Sequence, residues 1–167
     1  MSTILELEAE QTVALLAARG LTAATAESCT GGLIAKLLTD SPGSSAVFFG
    51  ACVTYTNAVK TQLLGVRPET IARDTEVSHA CAAEMAERVR LLLGTELGVS
   101  TTGFAGPGGG TEADPVGTVY LGISTKRGTQ TERFCAPNGA DRQAVREAAA
   151  RRALALLRAA AEERTLV

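Results

Sequence analysis

The chain has no tryptophan, only four phenylalanines and two tyrosines, and a single histidine, His79, in 167 residues. So few aromatics leave little on which to stack bases. With 16 basic against 18 acidic side chains there is also no cationic footprint, so nucleic-acid binding is not expected. A Ser-His-Asp triad or a histidine-rich metal site would have to be built on His79 alone, which makes lysine the better candidate for a base. The four cysteines, Cys29, Cys52, Cys81 and Cys135, stand apart with no CxxC pair. Neither a zinc site nor a disulfide framework is suggested, and a reduced, cytoplasmic setting fits. The opening MSTILELEAE is acidic and lacks a basic region, which argues against a signal peptide. No later apolar run approaches spanning length, so no membrane association is expected. The length suits one domain, 1–167 with a core of about 4–162.

What the chain does contain is an alternation of helical and extended patterns. Residues 4–19 carry Ile4, Leu5, Ala9, Val13, Leu16 and Ala17 on one helical face, ended by Gly20. Leu21–Ala26 reads as a short strand that enters the turn Glu27-Ser28-Cys29-Thr30-Gly31-Gly32 and then the helical LIAKLL. Ala46–Val53 is an apolar run of strand length and reads as a buried strand. A helix capped by Thr56 or Asn57 follows and stops at Gly65. A helix from Ser78, a strand at Gly98–Gly103, a glycine-rich loop at Phe104–Gly117, a hairpin of Thr118–Thr125 with Thr129–Cys135, and a last helix from Asp141 to about Glu162 complete the chain. The pattern is α/β, predicted to be a three-layer sandwich with a mixed sheet between helices.

Chemistry concentrates in Gly43–Lys60, which holds the pair Ser44-Ser45, Tyr55 and Lys60. Lys60 falls in the first turn of a helix, where the terminal partial charge disfavours an ammonium; with burial, such a lysine becomes a neutral amine able to take a proton from a serine hydroxyl. The alternative is a solvated lysine and two turn serines. Cys29 is a rival nucleophile, since a thiol at a helix N-terminus has a lowered pKa, with His79 as its base. The glycine turn at Thr30-Gly31 offers backbone amides to an anion or oxyanion, or is simply a tight turn. Arg142 and Arg146 oppose the dipole of the last helix, which fits a nearby anion such as phosphate, or pairing with Asp141 or Glu147. The loop 105–117 lacks the lysine of a phosphate loop and reads as a cover over a substrate or a flexible hairpin.

Taken together, AESCTGG at 26–32, GSS at 43–45, VTYTNAVK at 53–60, LGV at 64–66, GFAGPGGG at 103–110, PVGTVY at 115–120 and DRQAVR at 141–146 resemble the C-terminal domain of the competence-damage-inducible protein CinA. Stand-alone members of that family are nicotinamide-nucleotide amidases. The resemblance implies a Ser-Lys hydrolase that needs no metal or cofactor, acts on a mononucleotide and converts nicotinamide mononucleotide to nicotinate mononucleotide and ammonia. It places the nucleophile on Ser45, with Tyr55 and Lys60 as its catalytic partners. Ser28, Thr30, Gly31, Thr102 and Arg142 become the expected substrate-binding residues. Where the family usually has a shorter glycine-aspartate-arginine turn, this chain reads Asn138-Gly139-Ala140-Asp141-Arg142. A homo-oligomer is compatible with the resemblance. The competing class is a catalytically silent module that binds a nucleotide or a protein in a competence or DNA-damage response.

Overall fold

A computed structural model, described for residues 3–163, places one five-stranded sheet between two helical layers. The ends of the predicted domain, residues 1–2 and 164–167, lie outside the described residues. In chain order the elements are α1 (Ile4–Arg19), β1 (Ala23–Glu27), α2 (Leu33–Asp40), a 3-10 turn (Ser44–Ala46), β2 (Phe48–Val53), α3 (Asn57–Leu64), α4 (Pro68–Asp74), α5 (His79–Leu93), β3 (Leu97–Gly103), β4 (Thr118–Thr125), β5 (Gly128–Cys135) and α6 (Arg142–Glu163).

Local chemistry sets the helix ends. Thr3 and Glu6 form a reciprocal capping box at the start of α1, and Gly20, at φ 60°, takes the left-handed conformation that ends it. Ile4, expected on the core stripe, is 68% exposed; the buried face is Ala9, Thr12, Val13 and Leu16. Helix α4, absent from the sequence reading, begins with Pro68 at its first turn.

The strand order is β2-β1-β3-β4-β5, with β1 parallel to β2 and β3, and β4 antiparallel to both β3 and β5. Helices α1, α2 and α6 bury Leu16, Ile34, Leu38, Leu154 and Leu157 against one face, over Val99, Val119 and Leu121. Helix α5 covers the other face with Met85 and Val89, over Ala24 and Ala26. The three-layer sandwich with a mixed sheet is therefore the observed fold.

One strand differs from expectation. The apolar run at Ala46–Val53 does not form a doubly buried strand, because β2 is the sheet edge and leaves Phe49 54% and Val53 46% exposed. The connection from β1 leads to one side of it, and the long connection through α3, α4 and α5 returns to the other side. The carboxyl ends of β1, β2 and β3 thus open on a crevice at the point where the chain reverses direction across the sheet, the usual place for a ligand in an open α/β fold.

Candidate active site

Strand β1 ends at Glu27, and the next residue stays attached to the sheet: the Ser28 amide donates to Thr101 O at 3.0 Å, while the Thr54 amide donates to Glu27 O at 2.8 Å. Ser28 and the residues that follow β2 are thereby held at the same carboxyl end of the strands. Gly31 and Gly32, at φ 61° and 94°, turn the chain into α2, a conformation costly for a residue with a Cβ. The fully buried Glu27 carboxylate stabilises this junction. It accepts the amides of Gly32, Ile34 and Ala35 at 3.0, 3.1 and 2.9 Å, and the hydroxyls of Thr25 and Thr30 at 3.2 and 2.7 Å. Gly32 has no side chain to cap α2, so a glutamate from the preceding strand supplies the acceptor and the negative charge that a helix N-terminus favours.

Lys60 projects inward from α3, whose N-cap Thr56 accepts the Val59 amide at 3.4 Å. Its side chain is 1% exposed, with Nζ 2.9 Å from Ser28 Oγ and donating to Thr54 O at 3.0 Å. Burial lowers the lysine pKa below its ordinary value, against the opposing pull of Cys81, Glu76 and Cys29. The direction matches the sequence expectation, and its main cause is desolvation. A neutral Nζ can keep its donor bond to Thr54 O and turn its lone pair to the Ser28 hydroxyl.

A cavity of about 380 Å³ opens onto this pair, walled among others by Ser28, Lys60, Tyr55, Glu76, Thr102, Phe104 and Arg142. The Tyr55 hydroxyl accepts from Arg142 Nη2 at 2.9 Å, and Arg142 Nη1 donates to Gly106 O at 2.6 Å. The longer turn before Arg142 therefore does not stop it reaching the site, and the glycine-rich loop is tied down by it. Neither Arg142 nor Arg146 pairs with Asp141 or Glu147: Arg146 donates to Thr30 O at 2.8 Å, and Asp141 caps the helix through the Ala144 amide at 2.8 Å. Thr102 lines the cavity, but its hydroxyl is committed to Glu76 O at 2.6 Å.

Other expected site residues are elsewhere. Ser45 lies in the 3-10 turn that precedes β2, at the amino end of a strand whose carboxyl end leads to Tyr55 and Lys60. Six residues of extended chain span roughly 20 Å, so Lys60 cannot act on Ser45. The serine within its reach is Ser28, the residue expected only to bind substrate. Thr30 is buried with its hydroxyl on Glu27 and on Thr101 at 2.8 Å, and neither it nor Gly31 lines the cavity. The Gly31 amide is engaged by Ser28 O at 3.1 Å, so it is not an oxyanion donor. The rival thiol fails as well: burial pushes Cys29 up to about 12, and His79 is engaged instead with Thr131 Oγ1 at 2.9 Å and in a T-shaped ring contact with Tyr120. Sequence reasoning missed Glu27 and Glu76; the first was signalled by a carboxylate placed just before a glycine turn into a helix.

The family model for the CinA C-terminal domain matches residues 6–161. The chain belongs to the CinA C-terminal domain family. Among solved structures this CinA domain superposes on the competence/damage inducible protein CihA from Agrobacterium tumefaciens with a TM-score of 0.90 at 39% identity, covering 95% of this chain and 98% of that one. It superposes on a CinA superfamily protein from Klebsiella pneumoniae with a TM-score of 0.91 at 32% identity, covering 96% and 99%. A CinA-like protein of Myxococcus xanthus is 51% identical over 140 residues, which is 83% of this chain and 33% of the relative. The CinA domain thus spans about a third of the length of the curated relatives it matches.

Proposed function

We propose that this CinA domain is an amidohydrolase that converts nicotinamide mononucleotide and water to nicotinate mononucleotide and ammonia, with Ser28 as nucleophile and Lys60 as general base. The observation that carries the reading is the buried Lys60 Nζ, lowered in pKa and 2.9 Å from a serine hydroxyl that faces an open cavity. That geometry suits nucleophilic acyl chemistry and has no need to be so buried in a binding module.

Neutral Lys60 takes the Ser28 proton as Oγ bonds to the carboxamide carbon, and the carbonyl π electrons move to oxygen. The tetrahedral species collapses, the C–N bond breaks, and the lysine proton passes to the departing amine to give ammonia and an ester on Ser28. Water, deprotonated by Lys60, attacks that ester; the C–O bond to Ser28 breaks, Oγ recovers its proton and the acid leaves. Tyr55, oriented by Arg142, stands at the cavity mouth, where its hydroxyl can relay a proton or hold substrate. Arg142 keeps further N–H donors for the substrate phosphate.

The test is ammonia release from nicotinamide mononucleotide by the full chain, beside free nicotinamide. The mononucleotide is expected to turn over with the higher kcat/KM. Equal values for the two, or no ammonia from either, would remove the mononucleotide assignment.

A further inference from the structure

Among the described residues Glu76 is the one carboxylate on the wall of the Ser28 cavity, and it also lines a neighbouring cavity of about 760 Å³ together with Val77 and Phe104, which the two cavities share. It is half-buried. The residue before it, Thr75, has φ 70° and ψ 169°, and is the one positive-φ residue other than glycine among the described residues. A β-branched residue in that conformation is an outlier of the kind found where a turn must aim a functional group. Three hydrogen bonds hold the turn: Thr75 Oγ1 to Val77 O at 3.1 Å, Ser78 Oγ to Thr75 O at 3.0 Å, and Thr102 Oγ1 to Glu76 O at 2.6 Å.

The side chain so placed has little to satisfy it. Its contact is a 3.5 Å bond from Asn57 Nδ2, and it forms no salt bridge to a described residue. When Lys60 works as a neutral base, no ammonium there balances the Glu76 charge. The ring that bears a scissile carboxamide is bonded directly to the carbon that Ser28 attacks, so it occupies this cavity, whose lining joins Glu76 with the apolar Val77 and Phe104.

We infer that Glu76 is the specificity residue with which this site selects a carboxamide carried on a positively charged, N-substituted ring over the same carboxamide on a neutral ring. The inference rests on the amidase reading for the pose of the ring, and it adds the charge of the ring as the feature recognised. A carboxylate a few ångströms from a delocalised cation in a partly solvated cavity contributes enough to change affinity severalfold to tenfold.

Binding separates this from an effect on Lys60. In Ser28→Ala protein, which cannot turn over, calorimetry with nicotinamide mononucleotide and with its reduced form, whose ring is neutral, compares the same ligand with and without the ring charge. Adding Glu76→Gln is expected to weaken the oxidised form about tenfold and leave the reduced form unchanged, while Glu76→Asp keeps part of the preference. Equal weakening of both forms, or none, would overturn the inference. Ammonia release by the protein that retains Ser28 is read separately. Charge-selective binding without hydrolysis supports the role of Glu76 while removing the amidase reading; hydrolysis without charge-selective binding removes the role of Glu76 alone.

Discussion

Replacing Glu27 by glutamine changes one atom and tests whether the β1-α2 junction is held as described. All five partners of the carboxylate act as donors, and three of them are backbone amides that cannot reverse the role. The least costly placement of the new NH2 group is at Oε1, where the Thr25 hydroxyl can rotate to accept but the Ala35 amide loses its acceptor. A buried N–H without a partner costs about 1–3 kcal/mol. The lost charge at the N-terminus of α2 adds roughly 1–2 kcal/mol in a buried setting, and relief of burying a carboxylate offsets part of the sum. A net loss of about 2–4 kcal/mol lowers the Tm of a domain of this size by roughly 5–15 °C. Thermal melting at neutral pH measures it. Activity at 25 °C, where the variant is still folded, is expected to fall as well, because Ser28 follows Glu27 directly and a displacement of about 1 Å at the nucleophile costs on the order of a hundredfold. A variant that melts within about 1 °C of the parent with full activity would refute the role given to this carboxylate.

Two further perturbations address Lys60 and Arg142. Burial lowers the folded-state pKa of Lys60, so between that value and the unfolded value of about 10.4 the unfolded chain holds a proton that the native state lacks, and stability rises with pH. The stability of the parent relative to Lys60→Met is therefore expected to climb between neutral pH and pH 10, by at most about 1.4 kcal/mol per pH unit, in denaturant unfolding; a flat difference would mean that the lysine is not shifted. The pH profile of kcat/KM should rise through the same lowered pKa in the parent. For Arg142→Ala, which removes the tie from Tyr55 to Gly106 and the nearby positive charge, KM for the mononucleotide is expected to rise about tenfold or more, and an unchanged KM in steady-state assays would contradict a phosphate role.

Much of the fold is legible along the chain because its signals are local. The Gly20 and Gly65 stops, the Thr56 cap and the hairpin between Thr125 and Thr129 are read from neighbours a few residues apart, and each lies where expected or within a residue or two. Helix α4 is short and lacks a long apolar stripe, which hides it behind Pro68. The site is less legible because strand pairing, not sequence distance, decides which hydroxyl meets Lys60. Ser45 stands 15 positions before the lysine and Ser28 stands 32 positions before it, yet β2 runs parallel to β1 and leaves Ser45 at the amino end of the strands, away from the carboxyl end where Ser28 lies. Composition along β2 likewise cannot tell an edge strand from an inner one; the difference shows only in the sheet order and in the exposure of Phe49 and Val53. Glu27 gains its role only through the turn that brings the amides of Gly32, Ile34 and Ala35 back over it, although its place before a glycine turn is readable in the sequence.

The most direct measurement is ammonia release from nicotinamide mononucleotide by Ser28→Ala and Ser45→Ala proteins, each checked for a parent-like melting transition. With Lys60 paired to Ser28 at the carboxyl end of the strands and Ser45 at their amino end, Ser28→Ala is expected to lose at least about a thousandfold in kcat, and Ser45→Ala to stay within about threefold of the parent. Loss of activity in Ser45→Ala with Ser28→Ala still active would contradict the account.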